Sequence, residues 1–518
     1  MATTDTALLG QMDDYILDGK YHEATDTFCR LATSGLDIPA LVTHAMNTAS
    51  PYLHVPAHQM VLPNGEFRNV NYDHTILGIR AGMRLMPYLS DQEKHLTVTQ
   101  AVYYIPQGLD VWAQLDCGFP GHYSREQERC PEDDIGHELH CHFEDQTPLR
   151  KGSVETRFQR MHHAIVHGDK ITSYRLFLGL AEQPELRQRL QDALLFAAII
   201  DQQEFNSFRK VRHIGHKAIR TRSMFDIADW VGWDNAHSFF YIGVPDLCTA
   251  PLFHSLYDHV SFLLGTTFKG EQYQLHVRNT TLLSEEEQDR FMALILSGDT
   301  AAVTDAITAM LQNGRSLQSI ADTVMIAHAT HCVYKVRSPI AYTVPTHSYD
   351  YCNVINHWLR HFNNPHQAKA VYLGAWFVTD TIREIDWYPD FPDVSRPDPA
   401  PCRDWADGLA LPQVLAELET TIAAQDPSRA VALVQSYVER TGEREQLMRM
   451  LVHCAAKFQG DAHIFRHARS HIEEYTYNTC SEQRKNVLFM SWAHFLTFYK
   501  KRTLSTECYD LYYRHFVN

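Results

Sequence analysis

The chain has 518 residues, with 62 acidic and 46 basic side chains, a formal charge of −16 and 31 histidines. The acidic balance argues against nucleic acid as a partner and against adhesion to an anionic membrane surface, both of which need a Lys/Arg surplus. Apolar residues at 45% and aromatics at 11% exclude wholesale disorder and leave a globular, histidine-rich protein.

The first residues show no basic region followed by a sustained apolar run, so no secretory signal is expected. The longest apolar stretch, ALLFAAII at 193–200, falls far short of the ~20 residues that span a bilayer. Eleven cysteines, an odd number without C-x-x-C pairs, read as reduced thiols of a cytoplasmic protein.

Along the chain, apolar residues at three-to-four spacing predict helices over 15–34, 76–89, 185–208, 285–296, 299–312, 317–334 and 411–439. The best period-two runs, 97–104 and 272–277, are short strand candidates. Ser284 ahead of Glu285, Glu286 and Glu287 reads as a helix start, and Ser316 and Asp426 read as caps. Two segments break the pattern: a charged, histidine-rich excursion at 117–152, and a proline-rich connector at 386–404 that cannot be helical throughout. The expectation is an all-α fold, a large multi-helix array around one central pocket with a few short strands at most. Residues 1–385 form its core, and 405–518 is a C-terminal helical part packed on that core.

Several cheap chemistries are absent. There is no G-x-x-x-x-G-K-[ST] or G-x-G-x-x-G phosphate loop, so no flavin or nucleotide fingerprint, and no G-x-S-x-G nucleophile elbow. His137-Glu138-Leu139-His140 closes one residue too early for H-E-x-x-H. Cys117, Cys130, His137, His140, Cys141 and His142 supply enough ligands for a structural zinc, but without a paired knuckle the stretch reads as a polar surface loop.

Histidine pairs at ligand spacing include His163/His167, His357/His361, His463/His467, His213/His216 and His328/His331. With 31 histidines such pairs arise by chance, and singly they read as ordinary. A sharper set follows helix-starting caps: His74 after Asp73, His237 after Asp234 and Asn235, His347 after Thr346, and His463 after Asp461. A first-turn histidine feels the positive end of the helix dipole, which favours neutral imidazole. If the four converge, their helix starts favour an anion such as a phenolate, an enolate or a bound oxyanion. The same dipoles disfavour a bare cation, although neutral imidazole is the commonest metal ligand.

These four segments, in this order, resemble the questin oxidase-like family. NVNYDHTILGIRAG is similar to the family's S-N-H stretch and places His74; HSFFYIGV is similar to H-P-L-I-H-L-G-Y and places His237, with Tyr241 where a second histidine is usual. THSYDYCNVINHWLRHF followed by AKAVYLGAWFVTD resembles the T-H-A-V-T helix and its successor and places His347. GDAHIFRHARSHIEEY resembles G-D-E-H-x-x-K and places His463, with Arg466 at the lysine position. The resemblance implies an all-α oxidoreductase of monooxygenase type, NADPH-assisted, that inserts oxygen into or cleaves a ring of an anthraquinone or related polyketide. It is not built on a dinucleotide-binding flavoprotein fold.

Together these readings make His74, His237, His347, His463 and Tyr241 the candidate catalytic residues. One histidine, His74 or His347, would be the base and the others would hold the oxyanion of an aromatic substrate. Phe239, Phe240, Tyr349, Tyr351, Trp358 and Trp376 read first as core. One alternative is a histidine-ligated iron, copper or zinc oxygenase or hydrolase using the same four histidines, with a carboxylate such as Glu155 or Glu204. A second is a non-enzymatic helical scaffold whose histidines form a pH-responsive surface.

Overall fold

The computed structural model describes residues 3–50, 59–61, 67–69, 74–114, 147–201, 215–248, 252, 254–336, 343–385, 398–458, 462–499 and 506–517. The fold is all-α. In chain order the helices are α1 (Thr3–Leu17), α2 (Tyr21–Thr33), α3 (Ile38–Ala49), α4 (His74–Leu85), α5 (Leu96–Gln114), α6 (Val154–Val166), α7 (Lys170–Ala181) and α8 (Arg187–Ile200). They continue with α9 (His216–Val231), α10 (His237–Asp246), α11 (Ser255–Thr267), α12 (Glu285–Leu296), α13 (Thr300–Gln312), α14 (Leu317–Lys335), α15 (Thr343–His361) and α16 (Gln367–Ile385). The C-terminal set is α17 (Arg403–Asp407), α18 (Leu411–Ala423), α19 (Pro427–Arg440), α20 (Arg444–Lys457), α21 (Ala462–Tyr477), α22 (Glu482–Tyr499) and α23 (Glu507–Phe516). Two three-residue strands, β1 (Gln59–Val61) and β2 (Phe67–Asn69), pair antiparallel with Met60 opposite Arg68. No helix among the described residues is long and apolar enough to cross a membrane.

Local chemistry accounts for several boundaries. Ser284 and Glu287 close a reciprocal capping box at the start of α12, and Asp426 accepts from the Arg429 amide at the start of α19. Where one helix was expected over 15–34 there are two, because Gly19 takes a left-handed turn at φ 70° between α1 and α2. The expected 411–439 helix is likewise broken, since Pro427 cannot continue α18 and instead opens α19. Ser316 precedes α14 without a side-chain capping bond.

Neither strand candidate is a strand. Residues 97–104 lie inside α5, and 272–277 lie in the 3-10 turn Glu271–Arg278. Thr97, Val98, Thr99, Gln100, Ala101 and Val102 are all buried, so α5 is covered on every side and its sequence carries no one-sided pattern. The 117–152 excursion lies outside the described residues up to 146, and the connector lies outside them at 386–397. After that gap, Ala400–Cys402 makes a 3-10 turn leading into α17.

Four helices form the centre. α4 packs on α9 and α21, and α15 packs on the same two, closing a ring; α14 and α16 lie outside α15, and α14 and α19 pack on α22. These helices bury polar stripes at helical spacing: Arg220, Ser223 and Asp226 on α9, His347, Asp350 and Asn353 on α15, and His463, Arg466, His467, Ser470 and Glu474 on α21. An interior so polar needs internal partners. Arg222 Nη1 donates to Asn353 Oδ1 (2.8 Å), and Arg469 Nη2 donates to the same oxygen (3.2 Å). Arg222 and Arg469 also bridge to Glu473 at 2.8 and 2.6 Å, and Arg80 of α4 pairs with Asp226. Asn353 in turn donates to Glu474 (2.7 Å).

His328, His471 and His494 are also in this interior. Burial pushes the pKa of His328 and of His494 down to about 3 and that of His471 well below its ordinary value. Unfolded, each titrates near ~6.5. Below that pH the unfolded chain takes up protons the fold refuses, so each costs about 1.4 kcal/mol per pH unit until its folded pKa is reached. Asp322 and Glu474, whose carboxyls burial raises, act in the opposite sense and are fewer. Urea midpoints are therefore expected to fall between about pH 7.5 and about pH 5.5; a midpoint flat or rising across that window would contradict this interior.

Candidate functional site

Three of the ring's helices bring histidines to one point near their N-termini. His216 is the first residue of α9, His347 the fifth of α15 and His463 the second of α21. His347 Nε2 lies 3.0 Å from His216 Nε2 and 3.4 Å from His463 Nε2, and one ring nitrogen from each histidine falls within 4.8 Å of the others. The residues are 7%, 2% and 5% exposed. The helices run in the same sense: the histidines meet at one level, and Arg222, Asn353 and Arg469, each six residues on, meet at the next, about 9 Å along the axes.

The local sequence places these rings. Gly215, at φ 80°, turns the chain into α9 with no intrinsic penalty. A Cβ on it would sit 2.7 Å from Cβ of Tyr351, whose hydroxyl donates to the Ile199 carbonyl (2.8 Å). Beneath His216, Lys217 forms a buried ion pair with Asp201 and reaches the Leu247 carbonyl (3.3 Å), fixing the first turn. One turn below His347 and His463, Asp350 and Arg466 face each other at 2.5 Å, fully buried. Burial is the largest single influence on the Asp350 carboxyl and would raise it, but the Arg466 guanidinium together with His467 and Ser470 outweighs it and holds Asp350 well below the usual carboxylate range. Ser348 Oγ is 2.7 Å from His328 Nε2, which anchors α15 to α14 beside His347.

The trio has the spacing of a metal-ligand set. Two imidazole nitrogens each ~2.05 Å from one ion lie about 3.3 Å apart in a tetrahedron and about 2.9 Å apart as octahedral neighbours. The His216–His347 and His347–His463 separations, 3.0 and 3.4 Å, lie near these values, and the third pair is within 4.8 Å. Protons serve the arrangement less well, because the single lone pair of His347 Nε2 accepts one good hydrogen bond, not two. Among the described residues no carboxylate or thiol joins the group. Three neutral nitrogens leave the full dication charge on a bound ion, a strong Lewis acid with room for a further ligand.

The structure thus brings two of the proposed histidines, His347 and His463, together with one that sequence reasoning set aside. The sequence pairs His216 only with His213, which lies in 202–214, outside the described residues. His237 does not join them. It is half-buried at the first residue of α10, with its Nε2 3.5 Å from the Tyr174 hydroxyl, and Tyr174 packs edge-on against Tyr241 (ring centroids 6.0 Å apart). His74 is the first residue of α4, but its side chain lies outside the described residues, as do those of Asp73 and Glu204. Glu155 is on the surface, paired with Arg189 at 2.5 Å. His347 was expected in a first turn capped by Thr346; α15 in fact starts at Thr343, which puts His347 in the second turn with Pro345 inside the first. Proline is at home there, because first-turn amides have no helical partner to lose. Phe239, Phe240, Tyr349, Tyr351, Trp358 and Trp376 are all buried members of the core.

Gly215→Ala would meet both the left-handed backbone and the Tyr351 side chain. It is expected to cost about 2 kcal/mol or more, read by urea denaturation. A loss below about 0.5 kcal/mol would show that the entry into α9 is not held this tightly.

Comparison of the chain with family models, with curated proteins and with solved structures finds no match.

Proposed function

We propose that the chain is a metal-dependent oxidoreductase of the oxygenase kind, with a divalent ion held by His216, His347 and His463 and a phenolic or enolic substrate bound as its anion. The observation that carries this is the convergence of three buried imidazole nitrogens, at 3.0 and 3.4 Å, from three helix starts. Bound there, iron or copper would supply a Lewis acid and a one-electron couple toward O₂. The protein's part is to present three neutral nitrogens, to aim three positive helix ends at the incoming oxyanion, and to keep bulk water off it. The Asp350–Arg466 pair would keep the floor neutral, so the site draws its anion from the substrate rather than from its own side chains.

The oxygenase part of the reading rests on the resemblance of four segments to the questin oxidase-like family, which also motivates NADPH as the reductant and a flat polyketide-like aromatic as the substrate. A hydrolase built on zinc at the same trio is the nearest variant, since a zinc-bound water needs only the same three nitrogens. A second reading keeps the oxidoreductase and omits the metal. The 3.0 Å contact between His216 and His347 is also a hydrogen-bond distance, and it would let one imidazole take the substrate proton while the other supports it. The burial of the trio supports either enzyme over a scaffold with a pH-responsive histidine surface.

Metal analysis of protein purified without a histidine tag separates these readings. About one iron, copper or zinc per chain is expected, falling to a background level in His347→Ala and His463→Ala. Full oxygen uptake with a polyhydroxylated aromatic by metal-free protein would refute the metal centre. Stoichiometric metal that survives His347→Ala would place the ion elsewhere.

A further inference from the structure

Lys369 is the third residue of α16 and is 7% exposed. Of the buried lysines among the described residues, Lys217 pairs with Asp201 and Lys485 with Glu482, whereas Lys369 has no carboxylate within ion-pair reach. Its Nζ donates to the Tyr257 hydroxyl (3.1 Å) and lies 4.5 and 5.4 Å from the ring centroids of Tyr257 on α11 and Tyr273 in the Glu271–Arg278 turn. His366 Nδ1 is 3.5 Å from the same hydroxyl, and Phe196 stacks on the His366 ring with centroids 4.8 Å apart. Gln367 Nε2 donates to the Trp358 carbonyl (2.7 Å), so α16 starts beside a point about 16 Å along α15 from His347. The cluster is therefore separate from the histidine trio.

An ammonium group suits this position poorly. It is stripped of most of its water, it has three protons for one hydrogen-bonding oxygen, and it sits in the first turn of α16, at the positive end of the helix dipole. The two tyrosine rings attract a cation, but they replace neither the lost water nor a carboxylate. Burial is accordingly the largest influence on the Lys369 amine and lowers its pKa from the ordinary value, against Glu271 and Asp258, which raise it. Both carboxylates are exposed, so solvent screens them. The imidazoles of the cluster, His366 and, across Phe196, His162, are held toward neutrality by burial. A desolvated amine without a counter-ion is the form of lysine that attacks carbonyl carbon.

The geometry points to Lys369 as a covalent carbonyl-binding site, whose Nζ forms an imine with a small neutral aldehyde received between Tyr257 and Tyr273. The Nζ lone pair adds to the carbonyl carbon and forms the C–N bond. The carbonyl oxygen takes a proton from the Tyr257 hydroxyl, which recovers one from the nitrogen. A second such transfer breaks the C–O bond, so both amine protons leave on one water and no oxidant or reductant is consumed. Aromatic faces at the amine suit a flat or apolar group on the aldehyde. With no arginine contacting Nζ among the described residues, and with Glu271 and Asp258 nearby, an anionic aldehyde is disfavoured.

Reductive trapping on the full chain tests this, with acetaldehyde and cyanoborohydride at about pH 7.5 and peptide mass spectrometry to read each lysine. Lys369 is expected to gain the ethyl adduct more than about fivefold faster than the exposed Lys94, Lys151 and Lys269, because a lowered pKa leaves more free amine. Tyr257→Phe is expected to slow this trapping about tenfold. The same variant is expected to leave acylation of Lys369 by acetic anhydride, which needs no dehydration, at least as fast as before. With glyoxylate, a small but anionic aldehyde, Lys369 is expected to lose its lead over the exposed lysines. The proposal is overturned if Lys369 takes no adduct, if it is labelled no faster than the exposed lysines, or if Tyr257→Phe slows both reactions alike or neither. A lead kept in full with glyoxylate overturns the requirement for a neutral aldehyde.

Discussion

A buried arginine must find a carboxylate, and that requirement organises the centre of this protein. Arg80, Arg222 and Arg469 come from α4, α9 and α21, and each reaches Asp226 or Glu473. Removing one partner of such a set leaves an uncompensated charge, typically a loss of about 3–5 kcal/mol. The network therefore fixes the helices' mutual register as well as their contact. A slide of one turn, ~5.4 Å, would break every bridge at once. Register set at this level also sets the level above, where His216, His347 and His463 meet.

Parallel helices have an electrostatic consequence. Their N-terminal ends gather at the histidines, and each contributes roughly half a positive charge. Alone, that field opposes a metal ion; together with an ion it calls strongly for an anion. An ion that arrives with, or holds, an oxyanionic ligand brings a compensating charge, and neutral imidazoles add none. The site is thus suited to a metal with an anionic co-ligand and poorly suited to a bare cation. The Asp350–Arg466 pair one turn below is neutral as a unit and leaves this balance intact.

The all-α character was legible from the sequence, and the reasons are local. α12 and α13 have one apolar face and side-chain caps, and the boundaries of both, like those of α14, match the periodicity within a residue or two. His347 and His463 were singled out because each follows a cap-type residue ahead of a helical run; His463 is indeed at a helix start, whereas Thr346 is no cap, since α15 begins at Thr343. α9 was not legible. Lys217, Arg220, Arg222 and Asp226 carry no apolar stripe, yet all four are buried against partners more than ten residues away and outside α9, apart from the local Arg222–Asp226 contact. His216 was hidden for the same reason, since no apolar stripe announced the helix it begins. The alternation at 97–104 misled because a helix buried all round needs no single period. In each case pairwise chemistry across the fold, invisible to local pattern, decided the outcome.

The central claim is that three helix starts deliver three imidazoles to one ion. X-ray absorption on tag-free protein loaded with one equivalent of zinc tests it most directly. The account predicts a low-coordinate shell of nitrogen and oxygen at about 2.0–2.1 Å, with outer-shell scattering from three imidazole rings that drops to two in His216→Ala. A hydrated all-oxygen shell, or an imidazole count untouched by that substitution, would contradict it.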